Sequence, residues 1–176
     1  MKLVTVSQMQ TIEKEADANG LTYDRMMHNA GQGLADIIFD LFEDDVETEV
    51  VGLVGPGNNG GDTLVALAEL AQEGWKARAY LVKRKKDDLV RRFSEAGGEI
   101  LSGETAFEKL ADAIETADVL LDGVLGTGAK LPLKKDVAEF LSEVNDLLDG
   151  LDEAPLVVAV DCPSGVDCDS GQVADE

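Results

Sequence analysis

Apolar residues fall into two alternating patterns along the chain. Short, near-continuous runs such as Val50-Val51-Gly52-Leu53-Val54, Val119-Leu120-Leu121 and Leu156-Val157-Val158-Ala159-Val160 read as strands buried on both faces. They predict strands over 49–54, 77–82, 117–121 and 156–160, with a shorter one at 99–101. Between them, apolar positions recur at helical spacing and predict helices over 62–72, 87–96, 106–115 and 134–148. Upstream, Ser7 reads as an N-cap, Met9, Ile12 and Ala16 share a face, and Asn19-Gly20 ends the helix. A second helix runs from 24 to about 42, and its small residues Ala30-Gly31-Gln32-Gly33 allow another backbone to approach closely. The acidic stretch 43–49 then links to the first strand. Strands alternating with helices imply a doubly wound, Rossmann-like α/β fold: a mainly parallel sheet, helices on both faces, and an N-terminal helical pair.

Size and charge narrow the picture. At 176 residues the chain suits one domain with a real core. It has no apolar run long enough to span a bilayer, and its first residues lack the apolar core of a signal peptide. We therefore expect a cytoplasmic protein with no membrane partner. With 36 acids against 15 bases the formal net charge is −21, which disfavours nucleic acid. The acids are spread along the whole chain, a composition suited to a salty, K⁺-rich cytoplasm. The one basic cluster, Lys83-Arg84-Lys85-Lys86 with Arg91 and Arg92, reads either as a solvated loop or as a contact for a 2′-phosphate or pyrophosphate. Cys162 and Cys168 read as free thiols, and the lone His28 as a packed or surface residue.

The chemistry concentrates at three strand ends, where open α/β sheets bind ligands. The first is Gly-Pro-Gly-Asn-Asn-Gly-Gly-Asp at 55–62, a glycine-rich turn opening onto a helix. Such a turn offers unpaired N–H donors and a positive dipole end to a phosphorylated small molecule. The spacing is neither the dinucleotide fingerprint nor a P-loop, and Asp62 reads equally as a cap. The second strand end carries Asp122-Gly123-Val124-Leu125-Gly126-Thr127-Gly128, and the third Asp161-Cys162-Pro163-Ser164-Gly165-Val166-Asp167. Asp122 and Asp161 each stand just past a predicted strand, where either could be an ordinary capping acid. Together with Asn59 and Ser164 they form an oxygen donor set suited to a hard, monovalent cation. Asp161 is the stronger candidate for proton transfer, because desolvation at a strand end raises a carboxyl's pKa.

These three segments, GPGNNGGD, DGVLGTG and VDCPSGVD, together with MMHNAG at 26–31, resemble the YjeF N-terminal domain family of NAD(P)H-hydrate epimerases. The resemblance implies interconversion of the R and S forms of hydrated NADH and NADPH at C6 of the nicotinamide ring. It implies substrate contacts from Asn58, Asn59, Gly60, Gly61 and Asp62. It implies further contacts from the loop Gly126, Thr127, Gly128, Ala129, Lys130, Leu131 and Pro132. Asp161 would act at the ring as the catalytic acid/base, and K⁺ would be held by Asn59, Asp122 and Ser164. A partner dehydratase that takes only one epimer is implied as well, and a homodimer through the N-terminal helices is a further expectation. Residues 1–176 would form a single domain of this kind, ending before the family's last sheet strands. Thr63 departs from the Gly common in the family pattern. The competing reading is a YjeF-like module that binds nucleotide or protein without catalysis.

Overall fold

The computed structural model describes residues 3–42 and 48–174. Most of the acidic link at 43–49 lies outside them. The described chain runs α1 (Val6–Ala18), α2 (Tyr23–Leu41), β1 (Glu49–Val54), α3 (Asn58–Gln72), β2 (Lys76–Leu81), α4 (Asp88–Glu95), β3 (Glu99–Leu101), α5 (Ala106–Thr116), β4 (Val119–Gly123), α6 (Lys135–Asp149) and β5 (Leu156–Ala159). The five strands form one sheet in the order β3-β2-β1-β4-β5, and every pairing is parallel. The predicted α/β architecture is the observed one. Chain order reverses between β1 and β4, so the crevice at their carboxyl ends is where such a sheet places a ligand.

β1 occupies the centre and is apolar on both faces. Val50 and Val54 pack with Ala35 and Ile38 of α2, Leu64, Leu67 and Leu70 of α3, and Phe93 of α4. Val51 and Leu53 face the other way, onto Leu110 and Ile114 of α5 and Val137 and Val144 of α6. This division by odd and even position follows from the two-residue period of a strand. Trp75 ties α2 to the sheet, with its ring 6.1 Å from Phe39 and 5.9 Å from Phe42. Gly31 is the close approach anticipated within α2: a Cβ there would stand 2.7 Å from the Asp62 carbonyl of α3, whereas Gly33 faces open space.

Three sequence-based boundaries shift in ways that bear on the site. Helix α1 is capped by Thr5 rather than Ser7, because Thr5 and Gln8 form a reciprocal capping box. Met9 and Ile12 share a face, yet they are about half exposed and α1 buries no residue. Helix α3 starts at Asn58, so Asn58–Gly61 form its first turn instead of a loop. Strand β4 runs 119–123 rather than 117–121: Asp118 marks its start, donating its N–H to Glu49 O, accepting the Leu156 N–H and taking the Glu49 N–H on its carboxylate, and the pairing continues through Asp122 and Gly123. Asp122 is therefore a strand residue, paired with Leu53 on one side and Ala159 on the other.

Candidate functional site

Two of the three chemistry-bearing segments meet through a polar network under the mouth of the crevice. The Asp122 carboxylate accepts the Ser164 N–H at 2.7 Å and the Ser164 hydroxyl at 2.5 Å. Ser164 Oγ in turn accepts the Leu125 N–H at 2.9 Å. Asn59, on the first turn of α3, joins from the third side: its Nδ2 donates to the Leu125 carbonyl at 2.7 Å. Asn59, Asp122 and Ser164, chosen as cation ligands from sequence, thus form one connected cluster. Asn59 is 7% exposed, and its Oδ1 is buried without accepting any hydrogen bond from the described residues. An unpaired buried carbonyl oxygen is costly and calls for a partner.

Thr63 explains how Asn59 is held. Fully buried, it donates its hydroxyl to the Asn59 carbonyl at 2.8 Å, one helical turn back. A Cβ on Gly123 would lie 1.9 Å from that hydroxyl oxygen, so Thr63 fills the space this glycine leaves. Leu125 and Gly126 then pass over Asn59, where a Cβ on Gly126 would come within 3.1 Å of the asparagine Cβ.

Above this cluster opens a cavity of about 670 Å³. Of the sequence-predicted substrate residues, Asn58, Asn59, Asp62, Gly126, Thr127, Gly128, Ala129 and Asp161 line it. Gly60 and Gly61 face inward to packing: a Cβ would meet Gly55 O at 2.0 Å or the Met27 side chain at 2.7 Å. Lys130, Leu131 and Pro132 continue the same loop beyond the cavity lining, with a cis peptide between the last two. Gln10 and Glu13 of α1 also face the cavity, and nothing in their local sequence marked them. Their placement comes from α1 lying across the mouth. His28 is exposed and does not line the cavity.

The cavity is acidic. Glu13, Asp62 and Asp161 line it, and no Lys or Arg among the described residues does. Burial, then the charges of Asp161 and Glu13, push the Asp62 carboxyl up to about 7. Because its folded pKa exceeds the unfolded value, Asp62 binds more protons in the folded state between about pH 4 and 7. Its contribution to stability is full at acid pH and is lost as pH rises through that window. Melting curves should show Asp62→Asn converging with the parent near pH 4 and melting higher than it at pH 8. Equal offsets at both pH values would contradict this. Asp161 sits just past β5 with φ +68°, a left-handed conformation that is uncommon for a residue other than glycine. That backbone is a cost kept where a side chain must be aimed. Beside it, burial and the neighbouring Cys168 thiol push the Cys162 thiol up to about 12, so it stays protonated.

The basic cluster is solvent-exposed, as the solvated-loop reading has it, at every position but Arg84. Lys83 pairs with Asp136 at the start of α6, and Arg91 and Arg92 pair with Asp88 within α4. The Arg84 side chain is only 7% exposed and turns back onto the glycine-rich turn.

An open parallel sheet with a glycine-rich helix start at its switch point, and a cavity above a buried oxygen cluster there, is the arrangement in which open α/β folds place a small-molecule site. Residues 23–176 match the family described as YjeF-related protein N-terminus, and the chain belongs to it. It is 34% identical to a bifunctional NAD(P)H-hydrate repair enzyme Nnr of Thermofilum pendens, covering 98% of this chain and 33% of that protein. It is 38% identical to an NAD(P)H-hydrate epimerase of Clavibacter sepedonicus, covering 72% of this chain and 56% of that protein. The crystal structure of yeast ynu0, YNL200c, superimposes with a TM-score of 0.85 over 99% of this chain and 76% of that one, at 23% identity, which supports the fold. The chain thus spans between a third and just over half of the two curated relatives named here.

Proposed function

We propose that this chain catalyses epimerisation of the R and S forms of hydrated NADH and NADPH, with Asp161 as the acid/base. The observation that carries the reading is Asp161, aimed by a left-handed backbone into a cavity that the α3 start and the 126–129 loop also line. The names of the matched relatives point to the same reaction class.

The site's electrostatics fit that chemistry. Inverting C6 requires its C–O bond to break and re-form, or the ring to open, and in either case a proton must move. In the first route the Asp161 carboxyl gives its proton to the C6 hydroxyl, and the bond breaks to release water. The ring is left as a cation delocalised onto its nitrogen. Water then adds to the opposite face and returns a proton to the carboxylate. Glu13, Asp62 and Asp161 surround the space with negative potential, which lowers the energy of such a cation. No electrons are transferred. The α3 N-terminus and the backbone of Gly126, Thr127 and Gly128 offer N–H donors to the nucleotide's polar groups. Gly60, Gly61, Lys130, Leu131 and Pro132 would support those contacts from behind.

A K⁺ ion fits the oxygen cluster, because Asn59 Oδ1 is buried there without a partner and one carboxylate suits a single positive charge. Asn59, Asp122 and Ser164 would hold it. When bound, it supplies a fixed charge that fastens α3, the 126–129 loop and the Ser164 loop together. Melting in KCl against choline chloride at equal ionic strength tests this. The parent should melt higher in KCl and Asn59→Ala should show no difference; a parent indifferent to the cation would contradict the assignment.

The implied partner gives a direct test of the reaction. A dehydratase restricted to one epimer should clear a mixed hydrate pool completely when this protein is present, and stop at the unreactive epimer when it is not. An unchanged residue would remove the activity.

A further inference from the structure

We infer that Arg84 is a positioning residue that holds the substrate-binding turn in register with the rest of the site. Its guanidinium joins two loops that sequence reading treats separately. Nη1 donates to the carbonyls of Gly55 and Gly57 at 3.0 Å each. Nε donates to Asp87 at 3.0 Å, and Nη2 lies 2.7 Å from the same carboxylate oxygen. Asp87 is itself fixed, since its other oxygen caps α4 by accepting the Val90 N–H at 3.0 Å. The chain of contacts therefore runs from the α4 N-terminus through Asp87 and Arg84 to the residues just before α3.

Arg84 adds to the bonds the turn makes for itself. The Gly57 carbonyl, at the N-cap of α3, accepts the Gly61 N–H at 3.2 Å as the first bond of the helix and takes Arg84 as a second donor, while the Gly55 carbonyl, outside the helix, accepts from Arg84 at 3.0 Å. The turn is also packed on two other sides. A Cβ on Gly55 would stand 1.9 Å from Val124 O, and one on Gly60 would stand 2.0 Å from Gly55 O. β4, α3 and Arg84 thus hold Gly55–Gly57 from three directions, and Arg84 is the only one of the three that is a removable side chain. Moving this turn moves Asn58, Asn59 and Asp62, which line the cavity. Arg84 is not among the cavity-lining residues, and its 7% exposure leaves little of it for a ligand to touch. That sets it apart from a residue that contacts a 2′-phosphate. Its planar fork reaches three acceptors at once, which a lysine ammonium on a flexible stem holds less firmly.

The test has two arms, and only the kinetic one rests on the epimerase reading. In native-state hydrogen exchange, Arg84→Met should make the amides of 61–63, the first of α3 with intrahelical acceptors, exchange at least about tenfold faster, while those of β1 and α5 hold their parent rates. Asp87→Asn, which keeps the helix cap because Asn caps as well as Asp, should show a smaller change at the same amides. In epimerase assays Arg84→Met should raise KM about tenfold, by the same factor for hydrated NADH and hydrated NADPH, with partial recovery in Arg84→Lys. Unchanged exchange at 61–63 would overturn the inference whether or not the protein is an epimerase. A KM rise confined to hydrated NADPH would overturn it too, by making Arg84 a direct phosphate contact.

Discussion

Asp161→Asn should lower epimerase turnover by about 10²–10⁴-fold, the range for removing a positioned acid/base, while nucleotide binding stays close to that of the parent. The substitution isolates the proton. Asn is nearly isosteric with Asp and tolerates the left-handed backbone at φ +68°, so the loop after β5 keeps its path. The amide neither donates nor accepts the proton that C6 chemistry needs. Stopped time courses with one epimer measure the turnover, and calorimetric titration with the reduced nucleotide measures binding. Turnover within a few-fold of the parent would take Asp161 out of the chemistry. Loss of both would make it a structural residue of the loop.

Gly60→Ala should be among the most damaging single methyl groups in the described chain. The added Cβ would lie 2.0, 2.7 and 2.8 Å from the O, N and C atoms of Gly55, all of them backbone. No side-chain rotation relieves that clash. Helix α3 must lift from the β1 turn, which carries Asn58, Asn59 and Asp62 out of place. Overpacking of this kind costs about 1–3 kcal/mol, or a melting point lower by roughly 2–12 °C in a chain of this size. Epimerase activity should fall further than the lost stability explains. Gly57→Ala is the matched control, because a Cβ there meets nothing within 4 Å. A melting point for Gly60→Ala equal to that of Gly57→Ala would contradict the packing argument.

Much of this was legible in the sequence where local pattern and tertiary packing agree. β1 falls on its predicted residues, because an apolar run in the centre of a parallel sheet has little else to become, and the short edge strand β3 falls on its predicted residues as well. The polar cluster was legible for a different reason: Asn59, Asp122 and Ser164 lie at or shortly after the carboxyl ends of β1, β4 and β5, and parallel topology sends those ends to one edge. The start of α3 was not legible. Two glycines oppose helix by about 1 kcal/mol each, so propensity delays the helix to Asp62. The structure starts it at Asn58 because only glycine lets the first turn press against Gly55 and Met27. The Asp122 placement failed because β4 runs past its apolar run, carried through Asp122 and Gly123 by pairing with Leu53, Val54 and Ala159 on neighbouring strands. Glu13 and the raised carboxyl of Asp62 could not be read at all. The first depends on where a helix with no buried residue comes to rest, and the second on burial and charge from three separate elements. Arg84 shows the same limit, since its partners Gly55 and Gly57 lie across a loop junction that sequence proximity does not reveal.

The most direct measurement of the central claim starts from one isolated epimer of hydrated NADH. The purified chain, in KCl, is mixed with that epimer, and the approach to the R/S equilibrium is followed by chromatography against an enzyme-free blank. The account predicts rapid equilibration that disappears in Asp161→Asn. Equilibration no faster than the blank, by a folded protein that still binds reduced nucleotide, would contradict it and make the chain a binding module.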